Sequence, residues 1–556
     1  MRTHYPRTAH LPWSPGATSD DVRIAGLAAL TGREVVVTEK LDGENTTLYA
    51  DGLHARSLDS AHHPSRGWVK ALQGRVGARI PEGWRVCGEN MFARHSIPYE
   101  RLESFFYGFS VWDGEHCLDW DRTVAFLRDL GIPVPPVLWR GVFDARAEKA
   151  LRALKLDTGR QEGYVVRPAD GFGAADFRRL VAKWVRPGHV QTDTHWMHTA
   201  VVENGLGPAA ALWAVRSGAP ADAVALAAAT GTDAGDPKAA AAMGDALDAA
   251  GRTGEDRLTG VLAALLHRSR RAALAPALAP ALGMPLARRV ADLVGLHPGL
   301  HRPYPDEERR TGLVRMSFAA DLPLLHALAA TVADTAGARE QVEWSALYAQ
   351  DVSEPAGLRE AFADLAPDAA DRCLAQAREA FALGRVTTAE EAVAATWRWR
   401  TGDFPRLVQL VGPSGSGKST FARALPGTDT YLSLDDLRRA RGSRADQKAN
   451  GDVLREGLDR LDAALAAGST VVWDATSLNA HQRSLVHAVA RRRDALLTHA
   501  VALVDEAELI RRNGCRSHPV PPGVLTAQLH RFVPPYPGQA HRTWYIGASG
   551  TVEDRA

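Results

Sequence analysis

The chain has 556 residues, more than one hydrophobic core usually organises, so at ~150 residues per domain roughly three or four domains are expected. Hydrophobic residues make up 45% and charged residues 24%, a balance that excludes a disordered chain or a membrane protein and predicts a compact soluble one. The formal net charge is only +1, so a nucleic-acid partner would have to meet local basic patches rather than a globally positive surface.

The opening stretch MRTHYPRTAHLPWSPG is polar and proline-punctuated and lacks the apolar core of a signal peptide. Cys87, Cys117, Cys373 and Cys515 lie far apart with no C-x-x-C pair, which predicts a reduced cytoplasmic protein with no membrane segment. From Glu34 to about Arg186, runs such as EVVVTEK, WRVCGEN, SFFYGFSVWD and EGYVVRP alternate with turn residues, the pattern of an α+β domain. After His195 the composition shifts to alanine and leucine with helical periodicity up to about Trp399, which predicts an all-α middle domain; the tract AALAPALAPAL reads as helices and their linkers. The apolar run LVQLVG, a glycine loop, and further strands and helices through VVWDAT and AVALVD then predict an α/β domain. The expected fold class is therefore multidomain, with boundaries at 1–192, 193–400 and 401–556.

In the first domain, Thr38-Glu39-Lys40-Leu41-Asp42-Gly43-Glu44-Asn45 places a lysine between a strand and a tight glycine turn. An ordinary lysine titrates at about 10.4, so for Lys40 to attack phosphorus its site has to disfavour the ammonium by neighbouring cations, a metal or desolvation. Arg56, the block Cys87-Gly88-Glu89-Asn90, the aromatic run ending in Phe109, the block Glu162-Gly163-Tyr164-Val165-Val166-Arg167 and Lys183 follow in order. This ordered set resembles the covalent nucleotidyltransferases (an ATP-grasp-like ligase fold), in particular RNA ligases of the branch typified by the second phage RNA ligase. The resemblance implies that Lys40 takes AMP from ATP, that Glu39 and Asn45 flank the nucleotide, and that Arg56 contacts ribose or phosphate. It further implies that Glu89 binds the ribose, Phe109 stacks on adenine, Glu162 holds a divalent metal and Lys183 contacts the α-phosphate. The family's last block carries two lysines one residue apart; here Arg186 either substitutes for the second or that role is lost.

Near the other end, Gly412-Pro413-Ser414-Gly415-Ser416-Gly417-Lys418-Ser419-Thr420 follows an apolar strand and opens a helix, the context a phosphate-binding P-loop requires. Lys418 is expected on the β- and γ-phosphates and the Ser419 hydroxyl on Mg²⁺. With Asp435, Arg438, Arg512 and Arg516, residues 405–540 resemble the 5'-kinase module of phage and bacterial polynucleotide kinases. On that resemblance Asp435 is the general base for a 5'-hydroxyl, Arg438 holds the acceptor 3'-phosphate, and Arg516 stabilises the transferring phosphoryl group with Arg512 beside it. Between the two, His267-Arg268, Asp292, His297, Asp321 and Asp334 faintly resemble the HD phosphohydrolases. With Arg268 where that family has a metal-binding aspartate, the segment reads either as a degenerate HD-like scaffold or as a helical spacer.

Taken together, the motifs imply an ATP-dependent RNA ligase and polynucleotide 5'-hydroxyl kinase that uses ATP and Mg²⁺ or Mn²⁺. Its implied partner is RNA with broken ends, tRNA among the candidates, with a separate 3'-end phosphatase or phosphodiesterase, since no D-x-D-x-T motif is present. The alternative is a small-molecule or DNA 5'-kinase whose N-terminal module only binds RNA or nucleotide.

Overall fold

The computed structural model describes residues 2–19, 21–58, 63–188, 200–441, 450–516 and 518–556. The chain divides into two compact units, one of residues 1–229 with 244–261, the other of residues 230–243 with 262–556. The expected boundary at 192/193 lies outside the described residues. The alanine-rich helices between the two α/β regions are shared out between the units.

The described strands of the first unit form two sheets. One has the order Ala9–His10, Ala182–Val185, Gly163–Pro168, Glu34–Lys40, Val137–Val142; the other runs Phe172–Gly173, His116–Cys117, Phe106–Asp113, Trp84–Asn90, Glu44–Tyr49, Gly52–Ala55. The run EVVVTEK is apolar without alternation because its strand is covered on both faces. Val35 and Val37 pack with Cys87, Trp112 and Cys117 of the other sheet, whereas Val36 faces Trp120 and Ala169. Behind the second sheet, Leu48, Val86, Phe106 and Val111 pack on Val69, Leu72 and Val76 of the helix Gly67–Val76. The α+β expectation holds, and its consequence for the site is that Lys40 ends a strand of one sheet while Asn45 and Glu89 sit on strands of the other.

In the second unit, Thr430–Ser433, Thr470–Asp474, Arg406–Val411, Leu496–Ala502 and Arg542–Ile546 lie parallel in that order, and Val552–Arg555 closes the edge antiparallel. The strand Arg406–Val411 is central: Leu407 packs into one face of the sheet and Val408 and Leu410 into the other. This is the predicted α/β domain. Helices precede it, and the tract AALAPALAPAL, expected as helices and linkers, lies in one helix, Arg271–Leu282, that runs through Pro276 and Pro280. Each internal proline removes a hydrogen bond and costs about 3 kcal/mol in an isolated helix. Burial of Leu274, Ala275, Pro276 and Leu278 offsets that penalty here. Gly283, at φ 77°, then turns the chain directly into the helix Met284–Leu300. Among the described residues no single helix is long and apolar enough to cross a membrane.

Candidate active sites

Lys40 is the last residue of its strand and pairs with Gly163. A Cβ on Gly163 would lie 1.9 Å from the Trp184 carbonyl oxygen, so only glycine lets the strand bearing Lys183 lie alongside. Gly43 does the same on the opposite wall: a Cβ there would meet the Asn90 carbonyl oxygen at 2.6 Å, beside the paired residues Asn45 and Glu89. Between these strands is a cavity of about 1240 Å³ lined by Glu39, Lys40, Asn45, Arg56, Glu89, Phe109, Glu162 and Lys183, among others. Arg186 is not in that lining. Its guanidinium donates to the Thr158 carbonyl at 2.6 Å and its amide to the Glu162 carbonyl at 3.0 Å, so it braces the backbone behind Glu162.

The cavity is rich in carboxylates. Lys40 Nζ donates to Glu162 Oε2 at 2.5 Å. Burial pulls the Lys40 ammonium down, but Glu162 by charge and hydrogen bond, with Glu89 and Asp42, outweighs it and the net shift is upward. The depressed amine expected from the chemistry is thus not the state of this arrangement, because the charges nearest the amine are negative. Burial, Glu162 and Asp42 push Glu89 up to about 8 against the pull of Lys40. Burial and the nearby charges of Lys40 and Arg56 lower Lys183, with Asp21 and Glu162 opposing. Among the described residues no group of three or more His, Cys, Asp or Glu is placed to hold an ion. Burial beside Glu162 favours the neutral carboxyl of Glu89, and both side chains line the same cavity.

Several residues the sequence reading did not single out shape this site. Asp42 accepts from the Ser96 amide (2.8 Å), the Ser96 hydroxyl (2.6 Å) and the Ile97 amide (3.0 Å), fixing the turn after Lys40. Buried Arg66 donates twice to Glu44, at 2.8 and 2.5 Å. Gln161 donates to Glu39 at 2.8 Å, and Arg167 donates to the Phe109 carbonyl. In sequence these are ordinary polar positions; the K-x-D-G spacing marked Asp42 only as part of a turn.

In the second unit Gly412, Gly415 and Gly417 all have positive φ (149°, 84° and 84°), as a loop wrapped around phosphates needs. Gly417 caps the helix Lys418–Arg423, on which Ser419 is half-buried and Thr420 exposed. Burial, with the charge of Arg516, lowers the Lys418 amine, against Asp474 and Asp435. The loop is held from outside: the Ser414 amide donates to Gln528 Oε1 at 2.8 Å, and a Cβ on Gly417 would approach Arg512 Nη1 at 3.4 Å. Arg512 in turn donates to Glu508 and to the Ala548 carbonyl, each at 2.6 Å. Arg438 Nη1 donates to Asp435 Oδ1 at 2.5 Å, so the expected base and the expected acceptor contact are themselves paired. Asp474, quoted in the sequence but given no role, ends the neighbouring strand. Its carboxylate accepts from Tyr431, whose phenol is raised by burial and then by Asp474, and Ser419 bonds the same phenol.

Among the described residues, the histidines between the sites form no group placed to hold an ion. His267 and His297 rings are 6.2 Å apart and His297 and His301 5.6 Å, and one ring nitrogen of each meets a backbone carbonyl. Burial takes His297 down to about 4. Asp292, fully buried, accepts from Arg271 at 2.6 Å and Arg288 at 2.9 Å, and Arg288 also donates to Asp554 at 2.5 Å.

Two segments of the chain match known families. The RNA ligase family model matches residues 33–185 and the AAA domain model residues 407–535. No curated protein matches the chain. Among solved structures, the Pnkp1/Rnl/Hen1 RNA repair complex is similar at 22% identity over 23% of this chain and 44% of that one, with a TM-score of 0.22. The Naegleria gruberi RNA ligase with PPi is similar at 19% identity over 34% of this chain and 61% of that one, TM-score 0.24. A gluconokinase from Sinorhizobium meliloti 1021 is similar at 22% identity over 26% of this chain and 84% of that one, TM-score 0.21. The chain spans under half the length of the repair-complex chains it matches. Residues 33–185 thus match the RNA ligase family and residues 407–535 the AAA domain, both on one chain.

Proposed function

We propose that this protein repairs RNA ends: the P-loop site phosphorylates a 5'-hydroxyl, and the Lys40 site adenylates the resulting 5'-phosphate and seals it to a 3'-hydroxyl. The observation that carries this reading is the convergence of Lys40, Glu89, Glu162 and Lys183 on one cavity inside the segment matched by the RNA ligase family, on a chain that also bears a P-loop. In the first step Lys40 Nζ loses a proton and forms a bond to the α-phosphorus of ATP while the bridging oxygen leaves with pyrophosphate. The AMP then passes to the RNA 5'-phosphate, and the 3'-hydroxyl displaces it. Glu162 would hold Mg²⁺ or Mn²⁺, which would supply Lewis acidity at the phosphate, and Glu89 would bind the ribose. Lys183 offsets charge at the α-phosphate, and Phe109 offers a face to the base.

At the second site Lys418 and the loop amides hold the triphosphate, Asp435 accepts the proton of the 5'-hydroxyl once Arg438 turns to substrate, and Arg516 offsets charge on the phosphoryl group in flight. Broken tRNA is a fitting substrate, a separate enzyme removes 3'-phosphates, and the location is cytoplasmic. The domain division follows the chemistry: ligase to about residue 192, helical, HD-like connector to 400, kinase beyond. Labelled ATP and magnesium test the reading. An acid-stable AMP adduct is expected on the wild type and none on Lys40→Ala; a wild-type protein without an adduct overturns the ligase assignment.

A further inference from the structure

The Lys40 cavity has a wall that the chemistry above does not use. His4, Tyr5, Pro6, Arg7 and Thr8 line it, although their sequence has neither strand nor helix periodicity. The segment is pinned at both ends. The Thr3 amide donates to the Tyr49 hydroxyl and His4 Nδ1 meets the Arg56 carbonyl, each at 3.0 Å, on one sheet. On the other sheet Ala9 and His10 pair in parallel with Ala182 and Lys183. The Tyr5 ring meets Phe109 edge-on at 5.2 Å, which places Tyr5 at the Phe109 end of the cavity and Arg7, just before the strand paired with Lys183, toward the Lys183 end.

Arg7 is aimed by a built partner. Its Nη2 donates to Asp21 Oδ1 at 3.0 Å, and the other oxygen of Asp21 accepts from the Thr18 amide and hydroxyl at 3.1 and 3.0 Å. Other cations of the cavity have work of their own: Arg66 is spanned by Glu44, Arg167 bonds the Phe109 carbonyl and Cys117, and Lys40 holds Glu162. The β- and γ-phosphates of a nucleoside triphosphate bring negative charge beyond the α-phosphorus, and Lys183 with Arg56, which lines the same cavity, does not by itself offset it. We propose that Arg7, positioned by Asp21, is the ligase domain's contact to the β,γ-diphosphate of ATP, the group that leaves when Lys40 is adenylated.

The inference rests on the ligase reading and adds a step-specific consequence. When the bond from Lys40 Nζ to the α-phosphorus forms, the α–β bridging oxygen keeps the electron pair, and Arg7 offsets the charge gathering on the departing pyrophosphate. The reverse reaction, attack of pyrophosphate on the lysyl-AMP to regenerate ATP, needs the same contact. Joining of RNA that is already adenylated involves no pyrophosphate and does not need it.

The test uses the full chain as wild type, Arg7→Ala and Arg7→Lys, with melting curves to verify folding. Measured are the rate of Lys40 adenylation against ATP concentration, regeneration of ATP by inorganic pyrophosphate, and sealing of pre-adenylated RNA. Arg7→Ala is expected to lower the first two by about tenfold to a hundredfold, the range for a lost charged hydrogen bond, with Arg7→Lys between. The loss is confined to the steps that carry pyrophosphate. Adenylation and pyrophosphate reversal within about twofold of wild type overturn the proposal, as does an equal loss in sealing of pre-adenylated RNA. A wild-type chain that forms no adduct overturns the ligase reading itself, a different result from either.

Discussion

At the scale of single residues, the nucleophile is governed by its carboxylate partner. Lys40 is partly buried, which by itself favours the neutral amine, yet Glu162 at 2.5 Å and Glu89 nearby turn the balance toward the ammonium. A cation drawn to those carboxylates would remove the opposition and leave burial and Lys183 to free the amine. Glu162→Gln makes the same change covalently. In that variant the Lys40 amine is expected to titrate at lower pH than in wild type, followed by NMR of the labelled side chain without nucleotide. An unchanged or higher titration would mean that Glu162 does not set the state of the amine.

At the scale of elements, close approach of strands builds the ligase site. With a Cβ at Gly163 placed 1.9 Å from the Trp184 carbonyl, Gly163→Ala must push the Ala182–Val185 strand away and Lys183 with it. A cost of about 1–3 kcal/mol is the usual range for such overpacking. The expected outcome is a lower melting temperature and loss of the Lys40–AMP adduct, with RNA phosphorylation retained; full adduct formation would contradict the account. The strands and both lysines were legible in the sequence because β-branched runs and the glycine loop are local signals. Arg7 and Asp21 were not, since their place depends on a strand of two residues, Ala9–His10, pairing with residues far along the chain. The place of Asp474 was not legible either, because it depends on Tyr431, on another strand, donating to it, and on Ser419 bonding that phenol in turn. For Arg186 the sequence left two readings, a substitute for the family's second lysine or a lost role, and in the fold its guanidinium donates to the Thr158 carbonyl.

At the scale of the whole molecule, the chain has two compact units with one ATP chemistry expected in each. In the second, Asp292 is a fully buried carboxylate shared by Arg271 and Arg288. Removing one partner of a buried ion pair costs about 3–5 kcal/mol, and the lower end applies here because Arg288 keeps Asp554 and Arg271 keeps the Pro535 carbonyl. Asp292→Ala is therefore expected to lower the thermal stability of phosphorylating activity while leaving Lys40 adenylation as in wild type. Equal loss of both activities would contradict an independent first unit. The central claim is that two ATP sites act in sequence on one RNA, and it is tested most directly by end repair of a broken stem-loop RNA with 5'-hydroxyl and 3'-hydroxyl ends. Wild type is expected to phosphorylate and seal it, Lys40→Ala to phosphorylate without sealing, and Lys418→Ala to seal only when the 5'-phosphate is supplied. Sealing by Lys40→Ala, or use of a DNA strand as good as that of RNA, would contradict it.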